Sequence, residues 1–87
     1  MKVQFLNSFE KDLNNVPLPV RHKVVEMVGR IEAAVSIRQI DQVKKLRGFK
    51  NAYRIRIGNF RLGLLARGDL VQFVHLLDRK NIYRVFP

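Results

Sequence analysis

Between Tyr53 and Ala66 the chain reads YRIRIGNFRLGLLA, and these fourteen residues constrain the fold more than any others. The period-2 alternation puts Tyr53, Ile55 and Ile57 on one face of a strand and Arg54 and Arg56 on the other. Gly58-Asn59 reads as a two-residue hairpin turn, because glycine accepts positive φ without steric cost and such turns match strand twist. With that loop Ile57 pairs with Phe60, Arg56 stands opposite Arg61, and Arg54 lies opposite Gly63. Like charges paired across strands cost a few tenths of a kcal/mol or more. A cluster that weakens its own sheet points to an anionic ligand.

The hairpin extends on both sides. A second tight turn at Gly68-Asp69 leads into a third strand, Leu70 to Leu77, giving a meander. If both loops hold two residues, Phe60, Leu62, Leu64, Ala66, Val71 and Phe73 share the face of Ile55. Gln72, Val74 and Leu76 then share the face of Arg61, and His75 falls on the packing face. A slip of one residue would reverse the last strand.

Upstream, Lys2 to Leu6 alternates weakly and reads as a first strand. Asn7-Ser8-Phe9-Glu10 resembles a capping box, so a short helix is expected from Ser8, ending at Asn14-Asn15-Val16-Pro17. Pro17 and Pro19 suit the first turn of a second helix over Leu18 to about Ala34. Its stripe is Val20, Val24, Met27, Val28, Ile31 and Val35. The outer face offers a solvated His22 and a Glu26–Arg30 pair. Gly29 inside this helix suggests close approach to a neighbouring element. Ser36 to Val43 is read as a short turn of helix, and Lys44-Lys45-Leu46-Arg47-Gly48 as a link. Asp78 is placed to cap a final turn, Arg79 to Arg84. The order is β-α-α-β-β-β, an α+β domain spanning 1–87 with a small, curved, mainly antiparallel four-stranded sheet, two N-terminal helices on one face and a short C-terminal helical turn.

Charge is uneven. Residues 1–43 hold six Lys/Arg against five Asp/Glu, whereas residues 44–87 hold eleven against Asp69 and Asp78, so nearly all of the net +10 lies with the strands. That asymmetry predicts a polyanionic partner such as nucleic acid, ribosome or acidic protein. With no cysteine, disulfides, thiolate zinc sites and a cysteine nucleophile are excluded. No apolar run approaches the ~18 residues of a membrane span and no leader pattern opens the chain, so the reading is cytosolic, without a membrane partner. Two separated histidines and no Walker-type loop argue against a metal or nucleotide cofactor.

Arg54, Arg56 and Arg61 project from adjacent strands at spacings of roughly 5 to 7 Å, which suits a phosphodiester. Arg79 is within reach of the same region. Guanidinium groups hold phosphate bidentately and stabilise the extra charge of a pentacoordinate transition state, but they are poor bases. If RNA is cleaved, the 2′-OH is the natural nucleophile, and its proton goes to Tyr83, to His75, or to no strong base at all.

The segments KLRGFKNAY, RIRIGNFRLGLL and FVHLLDRKNIYRVFP resemble the RelE/ParE superfamily of bacterial toxin–antitoxin systems over nearly the whole length, with NSFEKDLNNVP fitting as well. The resemblance implies a small curved sheet with two N-terminal helices. It also implies, for the RelE branch, a metal-independent, ribosome-dependent mRNA endonuclease acting by 2′-OH attack and neutralised by a cognate antitoxin in a hetero-oligomer. Arg54 and Arg56 match the basic pair of one strand, Arg61 the arginine of the next, Arg79 the arginine after the last strand, and Tyr83 the C-terminal tyrosine. Lys44, Lys45, Arg47, Lys50 and Lys80 are implied to hold rRNA or flanking phosphates. The basic pair is often lysine in relatives, and Asp78 stands where many have histidine. The alternatives are a ParE-like gyrase inhibitor and an inactive relative that only binds antitoxin or RNA.

Overall fold

The computed structural model describes all residues from Met1 to Pro87. In chain order the elements are β1 (Lys2–Phe5), α1 (Asn7–Leu13), α2 (Leu18–Ala33), a 3₁₀ turn (Ile37–Gln39), β2 (Val43–Lys45), β3 (Ala52–Ile57), β4 (Phe60–Arg67), β5 (Leu70–Asp78) and α3 (Arg79–Val85). They form one five-stranded sheet in the order β1-β5-β4-β3-β2. β1 runs parallel to β5 and every other pair is antiparallel. The sheet thus has one strand more than the four expected. Val43–Lys45, read as part of a helical turn and a link, pairs with Tyr53–Ile55 as an edge strand. Two lysines in three residues hid it, and exposed lysine is what an edge strand uses to resist pairing with another chain.

The opening hairpin has the register its sequence dictates: Ile57 pairs with Phe60, Arg56 with Arg61 and Arg54 with Gly63. Gly58 sits at φ 58° while Asn59 does not take positive φ, the II′ pattern of a two-residue turn with glycine first. One irregularity changes the third strand. Between Gly63 and Leu64 the pairing shifts, so Leu64 faces Phe73 whereas Gly63 faces His75, and Val74 is the extra residue of a bulge. The bulge carries Leu76 onto the buried face opposite Leu62, not onto the face of Arg61. It also takes His75 off the packing face, leaving its side chain 23% exposed.

The main core lies between this sheet and the two N-terminal helices. Val24, Met27 and Ile31 of α2 and Phe9 of α1 pack with Ile55, Ile57, Leu62, Leu64, Val71, Phe73 and Leu76. Val35 is 85% exposed, because α2 ends at Ala33 before that residue can join the stripe. Gly29 is exposed and has no neighbour within 4 Å of where a Cβ would stand, so it marks no close approach. His22 is solvated as expected, but Glu26 and Arg30 form no ion pair. The capping box does not form either. α1 starts at Asn7 after Leu6 with no side-chain cap, and Ser8 Oγ donates to the Val74 carbonyl at 2.5 Å. That contact ties the helix to the bulge. Beside it, Asp12 accepts from the Leu76 amide at 3.0 Å and from the His75 ring at 2.8 Å, acting as a substitute ladder partner where β1 has ended. The last is the protein's one contact within 4.0 Å between a carboxylate and a basic side chain.

The opposite face of the sheet has its own smaller core. Ile82 and Phe86, one turn apart on the C-terminal segment, bury against Leu46 and Ala52, with Leu65, Val74 and Leu77 alongside. A seven-residue helix has no stability of its own in water. α3 is held by this packing and by Asp78, whose carboxylate accepts from the Asn81 backbone and side-chain amides, both at 2.9 Å. The expected cap is therefore formed. Burying Ile82 and Phe86 contributes about 1.5–3 kcal/mol each.

Candidate phosphate-binding face

On the face that α3 only partly covers, register sets Lys44, Arg54, Gly63 and His75 in a row across four strands. Gly63 is the low point. A Cβ there would stand 2.7 Å from Phe86 Cδ2 and 2.8 Å from Cγ, so the ring occupies the space a side chain would need. Phe86 seated on Gly63 lays α3 across the row beside Arg54. Tyr83, three residues earlier, consequently reaches the guanidinium: its ring centroid is 4.6 Å from Arg54 Cζ.

Tyr83 is 60% exposed, with its ring on the arginine and its edge in solvent. Its hydroxyl is held below the ordinary tyrosine value, chiefly through hydrogen bonding from Arg54 and then through the charge of Arg54. Slight desolvation opposes this, and the charges of Arg79 and Arg61 add to it. Arg54 lies over the ring face and makes no hydrogen bond of good geometry to the hydroxyl, so its charge is the firmer of the two causes. Three guanidinium groups on three elements thus act on one phenol: β3 supplies Arg54, β4 Arg61, and the first turn of α3 Arg79.

Local structure fixes each of them. Arg61 Nη1 donates to the carbonyls of Gly58 at 2.9 Å and Phe60 at 3.0 Å, so the hairpin turn orients its own arginine. The Arg79 amide donates to Asn59 O at 3.1 Å, clamping the start of α3 to the same turn. No lysine or arginine has a carboxylate within 4.0 Å, since the single such contact joins His75 to Asp12. The positive charge is unneutralised from within the molecule.

The remaining expected residues are placed less tightly. Lys44 stands beside Arg54 in register, while Lys45 donates from Nζ to Phe49 O at 3.3 Å. Lys44, Lys45, Arg47, Lys50 and Lys80 are all exposed. Arg56 pairs with Arg61 along the backbone but lines a different hollow, a cleft bounded by α2, and has no part in the shift of Tyr83. Asp12 holds Nδ1 of His75, and Asn81 holds both carboxylate oxygens of Asp78. No three His, Asp or Glu side chains come together as metal ligands would. Gly63, Ile82 and Phe86, which position Tyr83, were not singled out in the sequence. The signal for the last two was their i,i+4 spacing in NIYRVFP.

No helix is long and apolar enough to cross a membrane. No protein-family model matches the chain. The chain is 39% identical over 88 aligned residues to the toxin RelE3 of Methanocaldococcus jannaschii, with both proteins covered in full. The RelB–RelE antitoxin–toxin complex from Methanococcus jannaschii matches with a TM-score of 0.83 and 36% identity, over 95% of this chain and 98% of that one. The archaeal RelE–RelB complex from Pyrococcus horikoshii matches in fold, with a TM-score of 0.74 and 22% identity over 90% and 93% of the two chains. Full-length identity to a RelE toxin, on a fold that superposes on RelE over nearly its whole length, places this chain in the RelE toxin family.

Proposed function

We propose that this toxin is a ribosome-dependent mRNA endonuclease. The observation that carries the reading is a set of arginines with no internal carboxylate to neutralise them: Arg54 against the Tyr83 ring, and Arg61 and Arg79 anchored to the adjoining hairpin turn. An RNA phosphodiester fits there: it is anionic, it accepts bidentate guanidinium contacts, and its charge grows when a fifth oxygen attacks phosphorus.

In the proposed reaction the 2′-OH attacks the adjacent phosphorus and the bond to the 5′ oxygen breaks. A 2′,3′-cyclic phosphate and a 5′-OH result. The guanidinium groups hold the non-bridging oxygens and stabilise the added charge. The 2′-OH proton goes to the Tyr83 phenolate, which Arg54, Arg79 and Arg61 make accessible by lowering its pKa, and the leaving oxygen takes a proton from solvent. Lys44, Lys45, Arg47, Lys50 and Lys80 hold flanking mRNA or rRNA phosphates. Arg56 contacts a phosphate outside the reacting group. The neighbouring solved relatives are toxin–antitoxin complexes, and a cognate antitoxin covering the basic face is the corresponding partner here. About four neutralised phosphates give a single-strand log–log salt slope near −3.

The test is purified protein added to ribosomes programmed with mRNA in the A site. Wild type cleaves, and Arg61→Ala and Arg79→Ala lose cleavage. Gyrase-dependent DNA breaks without mRNA cleavage would replace this reading with the ParE-like one. Neither activity, with antitoxin binding intact, would leave a binding-only relative.

A further inference from the structure

A second basic hollow lies away from Tyr83. Lys23, Glu26 and Arg30 project from α2 at helical spacing and, with Arg56, Gln42 and Gly58, line a cleft of about 500 Å³ that also reaches Met27 and Ile57. The topology makes this space. β2 begins only at Val43, which pairs with Ile55, so Arg56 and Ile57 run past its start with no strand on that side. Gln42, at φ 67°, turns the chain away just there. Three cations face one carboxylate, and none of the three lies within 4.0 Å of Glu26. Cations brought to one hollow without pairing repel one another, at a cost an anion would relieve.

We infer that this cleft is a second phosphate-binding site for RNA, in which Lys23, Arg30 and Arg56 hold a phosphodiester other than the scissile one. The inference rests on the nuclease reading and extends it. Arg56 links the two sites, because its backbone lies opposite Arg61 in the hairpin. A strand whose scissile phosphate lies at Arg61 thus passes the hairpin within reach of Arg56. An RNA phosphate fits better than an acidic peptide, since only two of the eight lining residues are hydrophobic. Apolar surface suited to a protein partner lies elsewhere, in a groove of Phe5, Phe9, Leu13, Val24, Val25 and Val28 between the two N-terminal helices.

The test uses the full chain with Lys23 and Arg30, both exposed, changed together to Ala, and separately Glu26→Gln. One arm measures the salt dependence of binding to a non-cleavable 2′-O-methyl oligoribonucleotide. The other measures the concentration of programmed ribosomes that half-saturates the protein. The double variant should lose roughly 0.7 from the oligonucleotide slope if the phosphate belongs to mRNA, or raise the half-saturating concentration alone if it belongs to rRNA. Glu26→Gln, which removes a repelling carboxylate, should tighten the binding that the double variant weakens, which a folding defect would not do. No change in either arm overturns the inference, as does weaker antitoxin binding with RNA binding intact. If wild type fails to cleave mRNA, the nuclease reading falls, but the oligonucleotide arm still decides whether the cleft binds phosphate.

Discussion

Replacing Gly63 with alanine tests how the site is assembled. The new methyl would stand 2.7, 2.8 and 3.0 Å from Phe86 Cδ2, Cγ and Cε2, inside van der Waals contact for all three atoms. Phe86 is 5% exposed, so its ring has no free space to enter without leaving the cluster it forms with Leu46, Ala52 and Ile82. Overpacking of this kind costs typically 1–3 kcal/mol, and driving the ring into water costs about as much in lost burial. Alanine recovers roughly 0.5–1 kcal/mol of backbone entropy relative to glycine in a strand. The expected net loss is therefore about 1–2 kcal/mol, which in a domain of this size lowers Tm by roughly 5–10 °C. Because the displaced ring carries α3, Tyr83 leaves Arg54 and mRNA cleavage falls more than stability does. Thermal unfolding with Gly63→Ala, Phe86→Leu and the double variant completes a cycle in which the second change relieves the first. A Gly63→Ala protein as stable as wild type, with full cleavage, would refute the claim that Phe86 on Gly63 positions Tyr83.

Two further outcomes follow from the same geometry. Cleavage should rise with pH as the lowered Tyr83 pKa is approached, because only the phenolate accepts a proton. Arg54→Ala, which removes the largest cause of the shift, should move that rise to higher pH, as followed by rate profiles and by ultraviolet titration of the phenol; an unmoved profile excludes Tyr83 as acceptor. Asp12→Ala should destabilise the fold by about 1–3 kcal/mol, since it strands the Leu76 amide and the His75 ring at the bulge. Chemical denaturation measures this, and an unchanged midpoint would show that water replaces the carboxylate without loss.

How much of this was legible in the sequence depended on distance along the chain. The β3–β4 hairpin was readable because its alternation and its Gly58 turn are local, and register follows from loop length. The register of β5 failed at Val74. A bulge there is held by Asp12, more than sixty residues away, and no glycine within β5 marks it. β2 escaped notice because three residues with two lysines carry no strand signal. Asp78 was readable as a cap because the residues it serves follow immediately, and that role also explains an acid at this position. Of the basic residues, Arg54 lies against Tyr83, and Arg61 and Arg79 are tied to the hairpin turn. Arg56 faces a second hollow because α2 and the late start of β2 make one beside it, which strand alternation alone does not encode.

If these arginines serve an attack by the 2′-OH of the mRNA, that hydroxyl is indispensable. The most direct test is to program ribosomes with an mRNA carrying a single 2′-deoxy nucleotide on the 5′ side of the scissile phosphate in the A site, keeping all other contacts. This message should bind as the unmodified one does and remain uncut, and the unmodified message should yield 2′,3′-cyclic phosphate and 5′-OH ends. Cleavage of the deoxy-substituted message at the same position would contradict attack by the 2′-OH.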